Sequence, residues 1–419
     1  MEIPYDRNRE GNRRAGGIHQ QLPQRGSSAQ RGAPFCLKAR HPGRRSDPAG
    51  DGGGRNSLWR LADGFVPDAI AQRLHDRPDN AWIGSSVLFP AIKVAGAQLA
   101  RPDVLVLGAS RQGEFRSAMF KPYSFYNAGR TYWSFEQQLE MLKLIGARRP
   151  PKVVIISIDY LNFQDQEVGR RYSMEAGMPL QCPAPCANWD ALNWLPYALQ
   201  KHLLGTTISV TKQMFGLPGG ELDAFKLFGL TSVPGDSAFL HDGSMHYLAD
   251  TIANAPASVS RALLLKLAEI DRSDRLNAEQ LGQLRDLAEY ARQHGIAVIG
   301  VQLPLDLRRL ELLRPSGESA GGSPDSVWSI FERPETRDLI ESMGINFVDL
   351  TGLPEAANSQ AFIDAFHPGE YLVLTSLIAM LKDPRIGKLL PDIDMGALEK
   401  RKIAAEAAAN YFHVYGHEF

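Results

Sequence analysis

The stretch RPDVLVLGASRQGEF, residues 101–115, carries the signal that decides the fold. Val104–Leu107 is an unbroken apolar run, which is typical of a strand buried on both faces of a parallel sheet. The run stops at Gly108-Ala109-Ser110-Arg111. Glycine permits a tight turn and serine can cap a following helix, so this turn has a structural explanation. The carboxyl end of a parallel strand is also where open α/β sheets place their sites, which makes Ser110 a candidate functional residue.

Apolar runs of the same kind recur downstream and alternate with helix signals. They predict four further strands, at residues 123–129, 152–160, 296–303 and 345–350. Capping pairs at Ser134 with Gln137 and at Asn277 with Gln280 predict two helices between these strands. Further helices are predicted over about 325–343 and from Pro368 onward. Five strands joined by helices indicate an α/β protein with a parallel sheet in a three-layer αβα sandwich.

Residues 161–276 interrupt this alternation. They contain Pro, Trp and Gly clusters and helix-like pieces but no clear strand. An insertion after the carboxyl end of a strand would lie over the site, so we expect a helical cap. The predicted organisation is a head at 1–57, a sheet domain in two parts at 58–160 and 277–385, this cap, and a helical tail at 386–419.

Charge and composition exclude some classes of partner. The net charge of −1 argues against nucleic acid as the main partner. Residues 1–56 carry eleven Lys and Arg against five Asp and Glu and show no apolar periodicity, which predicts a disordered basic segment. This segment lacks the apolar core of a signal peptide. The chain also lacks the roughly 18 consecutive apolar residues that span a bilayer, so no transmembrane segment is expected.

The cysteines and histidines do not form a metal-binding pattern. Cys36 lies in the head, and Cys182 and Cys186 flank a Pro-Ala-Pro segment, where a disulfide and two free thiols are both open readings. His241 and His246 belong to the cap segment HDGSMH, which could line a substrate cleft. His413 and His417 lie near the C-terminus. No carboxylate or Cys cluster accompanies these histidines, so we expect no metal and no cofactor.

Asp364 and His367 are the strongest candidates for chemistry downstream of Ser110. Their spacing lets a carboxylate reach the imidazole Nδ1–H, which fixes the tautomer and leaves Nε2 as a base. Since all three residues follow carboxyl ends of strands, Ser110 with this pair would make an activated nucleophile. A structural alternative remains, because His367 before a proline could cap a helix and Asp364 could be a loop carboxylate.

These blocks resemble the SGNH (GDSL-type) hydrolase family, in particular its bacterial cell-envelope and polysaccharide-modifying branches. The likeness rests on Gly108-Ala109-Ser110, Asn127-Ala128-Gly129 and Asp364-Ala365-Phe366-His367, and it covers roughly residues 100–160 and 277–385. The resemblance implies a flavodoxin-like sheet and ester hydrolysis or acyl transfer. It further implies that Ser110 is the nucleophile, His367 the general base and acid, and Asp364 its orienting carboxylate. The amides of Ser110 and Gly129 would form part of the oxyanion hole.

The third family block departs from the expected pattern. The family has an Asn whose side chain donates to the oxyanion, whereas this chain has Asp159 in Ser157-Ile158-Asp159-Tyr160. A carboxylate cannot donate unless it is protonated, and losing such a donor costs about 10²–10³ in rate. Asn162, three residues on, is the candidate replacement. Arg111, Asn127 and Asp159 are candidate substrate contacts, although a surface salt bridge also explains Arg111.

The expected function is a serine ester hydrolase or O-acyltransferase that acts through an acyl-serine intermediate, on acylated carbohydrate of the cell envelope. The alternative is a catalytically silent module of the same fold that binds polysaccharide or an envelope assembly partner. A flavodoxin-like nucleotide binder is disfavoured, because the first strand–helix connection has neither a P-loop nor a Gly-x-Gly-x-x-Gly turn. The sequence leaves the acyl group, the acceptor and the compartment open.

Overall fold

A computed structural model of the chain describes residues 67–84, 89–131, 134–147, 149–164, 221–222, 225–229, 237–258, 275–313, 327–364, 366–416 and 418. The predicted basic head, the three cysteines and His417 lie outside these residues, as does much of the predicted cap. The strands of the described ranges are β1 (Asn80–Ile83), β2 (Val104–Leu107), β3 (Phe125–Ala128), β4 (Val153–Ser157), β5 (Glu221–Leu222), β6 (Phe225–Gly229), β7 (Ser237–Phe239), β8 (Met245–Tyr247), β9 (Ala297–Gln302) and β10 (Asn346–Asp349). The helices are α1 (Pro67–Asp76), α2 (Phe89–Ala100), α3 (Phe135–Gly146), α4 (Ala249–Ser258), α5 (Ala278–Gln293), α6 (Leu307–Leu313), α7 (Val327–Phe331), α8 (Pro334–Ser342), α9 (Glu370–Lys382), α10 (Pro384–Gly387) and α11 (Met395–Ala407).

The main sheet contains the five strands that the apolar runs predicted. Its order is β10-β9-β4-β2-β3, and every neighbouring pair is parallel. Counted along the chain this is the order 2-1-3-4-5 of a flavodoxin-like sheet, in which the direction of winding reverses beside the first strand. The carboxyl end of β2 therefore lies at the switch point, where open α/β sheets bind their ligands.

Helices cover both faces of this sheet, as the sequence predicted. Leu105 and Leu107 of β2 pack in a core with α3 and α5, whereas Val104 and Val106 pack in a second core with α9. Because alternate residues of β2 face opposite cores, the strand is apolar throughout and the sheet forms the middle layer of an αβα sandwich. The predicted helix at 325–343 is divided into α7 and α8, since Pro334 begins a new helix.

A second sheet, which the sequence did not predict, lies beside the first. Its order is β5-β6-β1-β7-β8, with β1 parallel to β6 and antiparallel to β7. The expectation of no clear strand in the predicted cap, residues 161–276, is therefore wrong, because β5 to β8 all lie there. β5, β7 and β8 have only two or three residues, and β6 contains an exposed lysine and ends in glycine, so no apolar run marks them. The β7–β8 hairpin contacts the main sheet, where the Asn127 amide donates to the Asp242 carbonyl (2.8 Å).

The predicted helical tail is part of the fold. Helix α11 packs on α9 and buries Leu398 and Ala405. The chain then returns to the start of α9, where the Val414 amide donates to Glu370 Oε2 (2.7 Å). None of the helices in the described ranges has the length and apolar composition needed to cross a bilayer.

Candidate active site

Ser110 stands directly beyond the carboxyl end of β2. Gly108 turns the chain with a φ of 133°, a conformation that L side chains rarely adopt, and a Cβ there would lie 2.6 Å from the Cβ of Ser157. The turn places Ser110 at the first position of a short 3-10 helix, Ser110–Gln112. The N-cap of that helix is Ala109 and no side chain caps it, so Ser110 does not have the helix-capping role that the sequence allowed.

A continuous hydrogen-bonded chain joins Ser110 to the loop before α9. Ser110 Oγ lies 2.7 Å from His367 Nε2, and His367 Nδ1 lies 2.7 Å from Asp364 Oδ2. This is the arrangement in which the carboxylate holds Nδ1–H and leaves Nε2 to accept the serine proton. The structure thus brings together the three residues that the sequence selected, across more than 250 positions of the chain.

The Asp364 carboxylate is held in the loop by several hydrogen bonds. Its Oδ1 accepts from the amides of Phe366 and His367, each at 2.7 Å, and the Ile363 amide donates to the His367 carbonyl (3.0 Å). Burial by itself raises the pKa of Asp364, but the adjacent His367 and these amide donors outweigh it and lower the pKa to about 2. Asp364 is therefore ionised at neutral pH and orients the imidazole.

The Ser110 hydroxyl opens into a cleft of about 610 Å³. The second sheet and α4 form the wall opposite Ser110 and His367. The side of α4 that faces the cleft is polar and partly exposed, with Asp250, Thr251 and Asn254. The cleft is lined by Ser110, Arg130, Met245, Tyr247, Asp250, Thr251, Asn254, Ala255, Ile363, Asp364 and His367.

The predicted oxyanion hole is only partly present. The Gly129 amide donates to Asn127 Oδ1 (2.8 Å), so this N–H is already used within the protein. Asn162 is buried, and its Oδ1 accepts from the Asp159 amide (2.7 Å) in a capping box, so it does not line the cleft. The Ser110 amide has no hydrogen-bond acceptor among the described residues. Of the three predicted groups, Ser110 N–H is therefore the one available to an oxyanion.

The predictions for Arg111 and Asp159 require correction, because the two side chains pair with each other beneath the site. Both are buried, and Arg111 Nη1 donates to Asp159 Oδ2. The pair is therefore neither a substrate contact nor the surface salt bridge that Arg111 suggested. Asp159 Oδ1 also accepts from the Leu161 amide (3.1 Å). The carboxylate therefore points away from the serine and caps the short 3-10 helix that follows β4.

Asn127 is likewise a structural residue rather than a substrate contact. Its side chain is fully buried, and its Nδ2 donates to the carbonyls of Gln112 (2.9 Å), Gly113 (3.1 Å) and Phe115 (2.9 Å). These three carbonyls belong to the turn that follows the nucleophile. Asn127 therefore fixes the shape of that turn from the neighbouring strand β3.

Arg130 is a cleft residue that the sequence analysis missed. Its φ of 61° is uncommon for a residue other than glycine, and its amide donates to the Ala109 carbonyl (2.9 Å) beside the nucleophile. The side chain reaches the second sheet, where Nη1 donates to Ser237 Oγ (2.5 Å). No sequence motif marks a single arginine after a turn glycine as a functional residue. The side-chain partners of Arg130 also lie on strands that the sequence did not predict.

The HDGSMH segment forms the β7–β8 turn, but its histidines do not line the cleft. His246 is buried and stacks on His413 with ring centroids 3.9 Å apart, whereas Met245 reaches the cleft. Within the ranges that the structure describes, no group of three or more His, Cys, Asp or Glu is placed to hold a metal ion.

No protein-family model matches this chain, and the search of curated proteins finds no match either.

Proposed function

We propose that this protein is an SGNH-like serine ester hydrolase or O-acyltransferase. The observation that carries the proposal is the hydrogen-bonded chain from Ser110 Oγ through His367 to Asp364 at the edge of a cleft. Three further features support it: the sheet order, the position of Ser110 at the switch point, and the resemblance of the three sequence blocks to this family.

In the acylation half-reaction, Ser110 Oγ attacks the carbonyl carbon of the ester while His367 Nε2 takes the hydroxyl proton. The negative charge of Asp364 stabilises the imidazolium that forms. The Ser110 amide is placed to donate to the oxyanion of the tetrahedral intermediate. As the intermediate collapses, the C–O bond to the alcohol breaks, and the alcohol leaves with the proton held by His367. The acyl group then remains on Ser110.

In the second half-reaction, the acyl-serine is attacked by water or by an acceptor hydroxyl. His367 Nε2 accepts the proton of the attacking O–H and returns a proton to Ser110 Oγ as the ester bond to the enzyme breaks. Water as the attacking group makes the protein a hydrolase, and a second alcohol makes it a transferase.

The proposed substrate is an acylated carbohydrate. The polar side of α4, with Asp250, Thr251 and Asn254, offers hydrogen-bonding groups suited to a polyhydroxylated alcohol across the cleft from Ser110. The cell-envelope setting of the substrate is taken from the family resemblance alone.

A specific observation also favours the alternative, a catalytically silent module that binds polysaccharide or an assembly partner. Because the Gly129 amide is bonded to Asn127 and Asn162 is buried in a capping box with Asp159, two of the three predicted oxyanion donors are missing. One missing donor costs about 10²–10³ in rate, so a site with a single donor could be too slow to serve as an enzyme.

A fluorophosphonate probe separates the two candidates. We expect the probe to label wild-type protein at Ser110, as mapped by peptide mass spectrometry, and to leave Ser110→Ala and His367→Ala unlabelled. Ser342→Ala is a matched control, because that serine is exposed and bonds only within its own helix (2.6 Å). A wild-type protein that stays unlabelled while it binds acetylated polysaccharide in calorimetry would favour the silent module.

A further inference from the structure

The side chain of Arg111 links the nucleophile turn to the loop that carries His367. Its Nε donates to the Phe366 carbonyl (3.1 Å), immediately before His367. Its Nη2 donates to the carbonyls of Leu303 (2.7 Å) and Pro304 (2.5 Å) after β9. With the Nη1 bond to Asp159 after β4, one guanidinium joins the ends of two strands, the turn after β2 and the catalytic loop.

The Phe366 ring is held by two arginines. The Arg111 guanidinium carbon lies 4.5 Å from the ring centroid, and that of Arg309 lies 4.9 Å from it. Arg309 is itself tied to the main fold, since its Nη2 donates to the Tyr160 hydroxyl (2.6 Å). The ring of Phe366 in turn contacts the His367 imidazole edge-to-face, with centroids 5.2 Å apart. Both the backbone and the ring of Phe366 are therefore fixed, and His367 has little freedom to move away.

We propose that Arg111 is a positioning residue, which holds His367 within hydrogen-bonding distance of Ser110 through Phe366; this inference rests on the proposed function. Arg111 follows Ser110 directly in the chain, so the same 3-10 turn that presents the nucleophile also anchors the base. Arg111 does not touch the substrate, because its side chain is buried and outside the cleft lining.

The same contacts explain Asp159, which stands where the SGNH family has an asparagine. A buried guanidinium requires a negative partner or it destabilises the fold. Asp159 is that partner and is as fully buried as Arg111, with both side chains 2% exposed. Asp159 thus neutralises Arg111, and the pair together anchors the loop that carries His367.

The test must separate positioning from stability, because Arg111→Met alone leaves Asp159 buried and unpaired. The double variant Arg111→Met/Asp159→Leu removes both charges, and replacing a buried ion pair by apolar residues is often neutral for stability. The carbonyls of Pro304 and Phe366 and the Leu161 amide each lose a hydrogen bond, so we expect this variant to fold but to melt several degrees below wild type. Its kcat for p-nitrophenyl acetate should nevertheless fall about 100-fold with KM little changed, as for a misplaced catalytic group.

Two further variants complete the set. Arg111→Lys retains the charge opposite Asp159 but lacks the fork that reaches Phe366, so it should fold and show the same loss of kcat. Arg385→Met is the matched control, since that arginine is exposed, pairs with Asp383 and Glu341, and should leave kcat unchanged. A double variant with the kcat of wild type would overturn the proposal, because His367 would then be in place without Arg111.

A structural readout keeps the inference testable if the wild type proves inactive. In a crystal structure of the double variant, or of Arg111→Lys if the double variant does not fold, the Ser110 Oγ–His367 Nε2 distance should exceed 3.5 Å or His367 should occupy several rotamers. A distance still at the wild-type 2.7 Å would refute the positioning role whatever the activity. Absence of both turnover and probe labelling in the wild type would refute the proposed function separately.

Discussion

Replacing Asn127 by leucine tests whether this residue shapes the nucleophile turn or contacts substrate. Leucine has a similar size but can make none of the four side-chain hydrogen bonds of Asn127. The Gln112 carbonyl would keep the Phe115 amide (3.4 Å) and the Gly113 carbonyl would keep the Met245 amide (2.8 Å) as partners. The Phe115 carbonyl and the Gly129 amide would have no partner among the described residues.

The expected loss follows from those two unpaired groups. Each buried group left without a partner costs about 1–3 kcal/mol, and the two other lost bonds contributed about 0.5–1.5 kcal/mol each, so the free energy of unfolding should fall by about 3–9 kcal/mol. With an unfolding entropy of about 2.1 cal/mol/K per residue, a cooperative unit the size of residues 52–419 should melt roughly 4–12 °C lower.

Differential scanning calorimetry measures this change, with Asn346→Leu as the control. Asn346 lies on β10 of the same sheet and makes one side-chain bond, to the Val298 carbonyl (3.1 Å), so its replacement should cost about 1 kcal/mol. A melting temperature of Asn127→Leu no lower than that of Asn346→Leu would contradict this prediction. If the melting temperature is unchanged while KM rises, Asn127 contacts substrate, as the sequence alone suggested.

Asp159, Gly108 and Asp364 are held by buried or constrained contacts, and replacing each of them should have a measurable effect. Asp159→Asn should leave kcat unchanged or lower, and it should cost about 3–5 kcal/mol of stability because the buried Arg111 loses its charged partner. Asp79→Asn, at an exposed pair with Lys226 (3.1 Å), is the control and should leave the melting temperature nearly unchanged. A rise in kcat of Asp159→Asn would instead place Asp159 at the oxyanion. Gly108→Ala should lower both the melting temperature and probe labelling, since its φ of 133° and the Ser157 Cβ at 2.6 Å oppose a side chain; a wild-type melting curve would contradict this. The folded-state pKa of Asp364 lies near 2, below the unfolded value of 3.8, so its stabilising contribution is complete above pH 4 and is lost as the pH falls through 2. Urea titrations should therefore show wild type exceeding Asp364→Asn by about 1–2 kcal/mol at pH 6, after solvent screening of a side chain that is 34% exposed, and by less at pH 2; a constant difference would contradict the linkage.

The strands of the main sheet and the residues at their ends were readable from the sequence because those signals are local. A strand buried on both faces is an apolar run, and the turn after it begins with a small residue, as at Gly108. Helix starts are equally local: Ser134 accepts from the Gln137 amide and Asn277 from the Gln280 amide, as their spacing predicted. The three-residue spacing of Asp364 and His367 is itself a geometric constraint, which the structure satisfies.

Only the tertiary structure showed that the second sheet and α4 form the far wall of the cleft, and only it showed what the buried polar residues contact. The second sheet joins β1 to strands more than 140 positions away, and such short strands are defined by their partners rather than by their own pattern. Arg111, Asn127 and Asp159 look like surface or substrate-binding residues in a list of polar side chains. Whether a polar side chain binds a ligand or satisfies its own fold depends on which donors and acceptors the chain brings to it. That set is assembled from distant segments, as when Arg111 meets Asp159, Pro304 and Phe366, and so no local pattern encodes it.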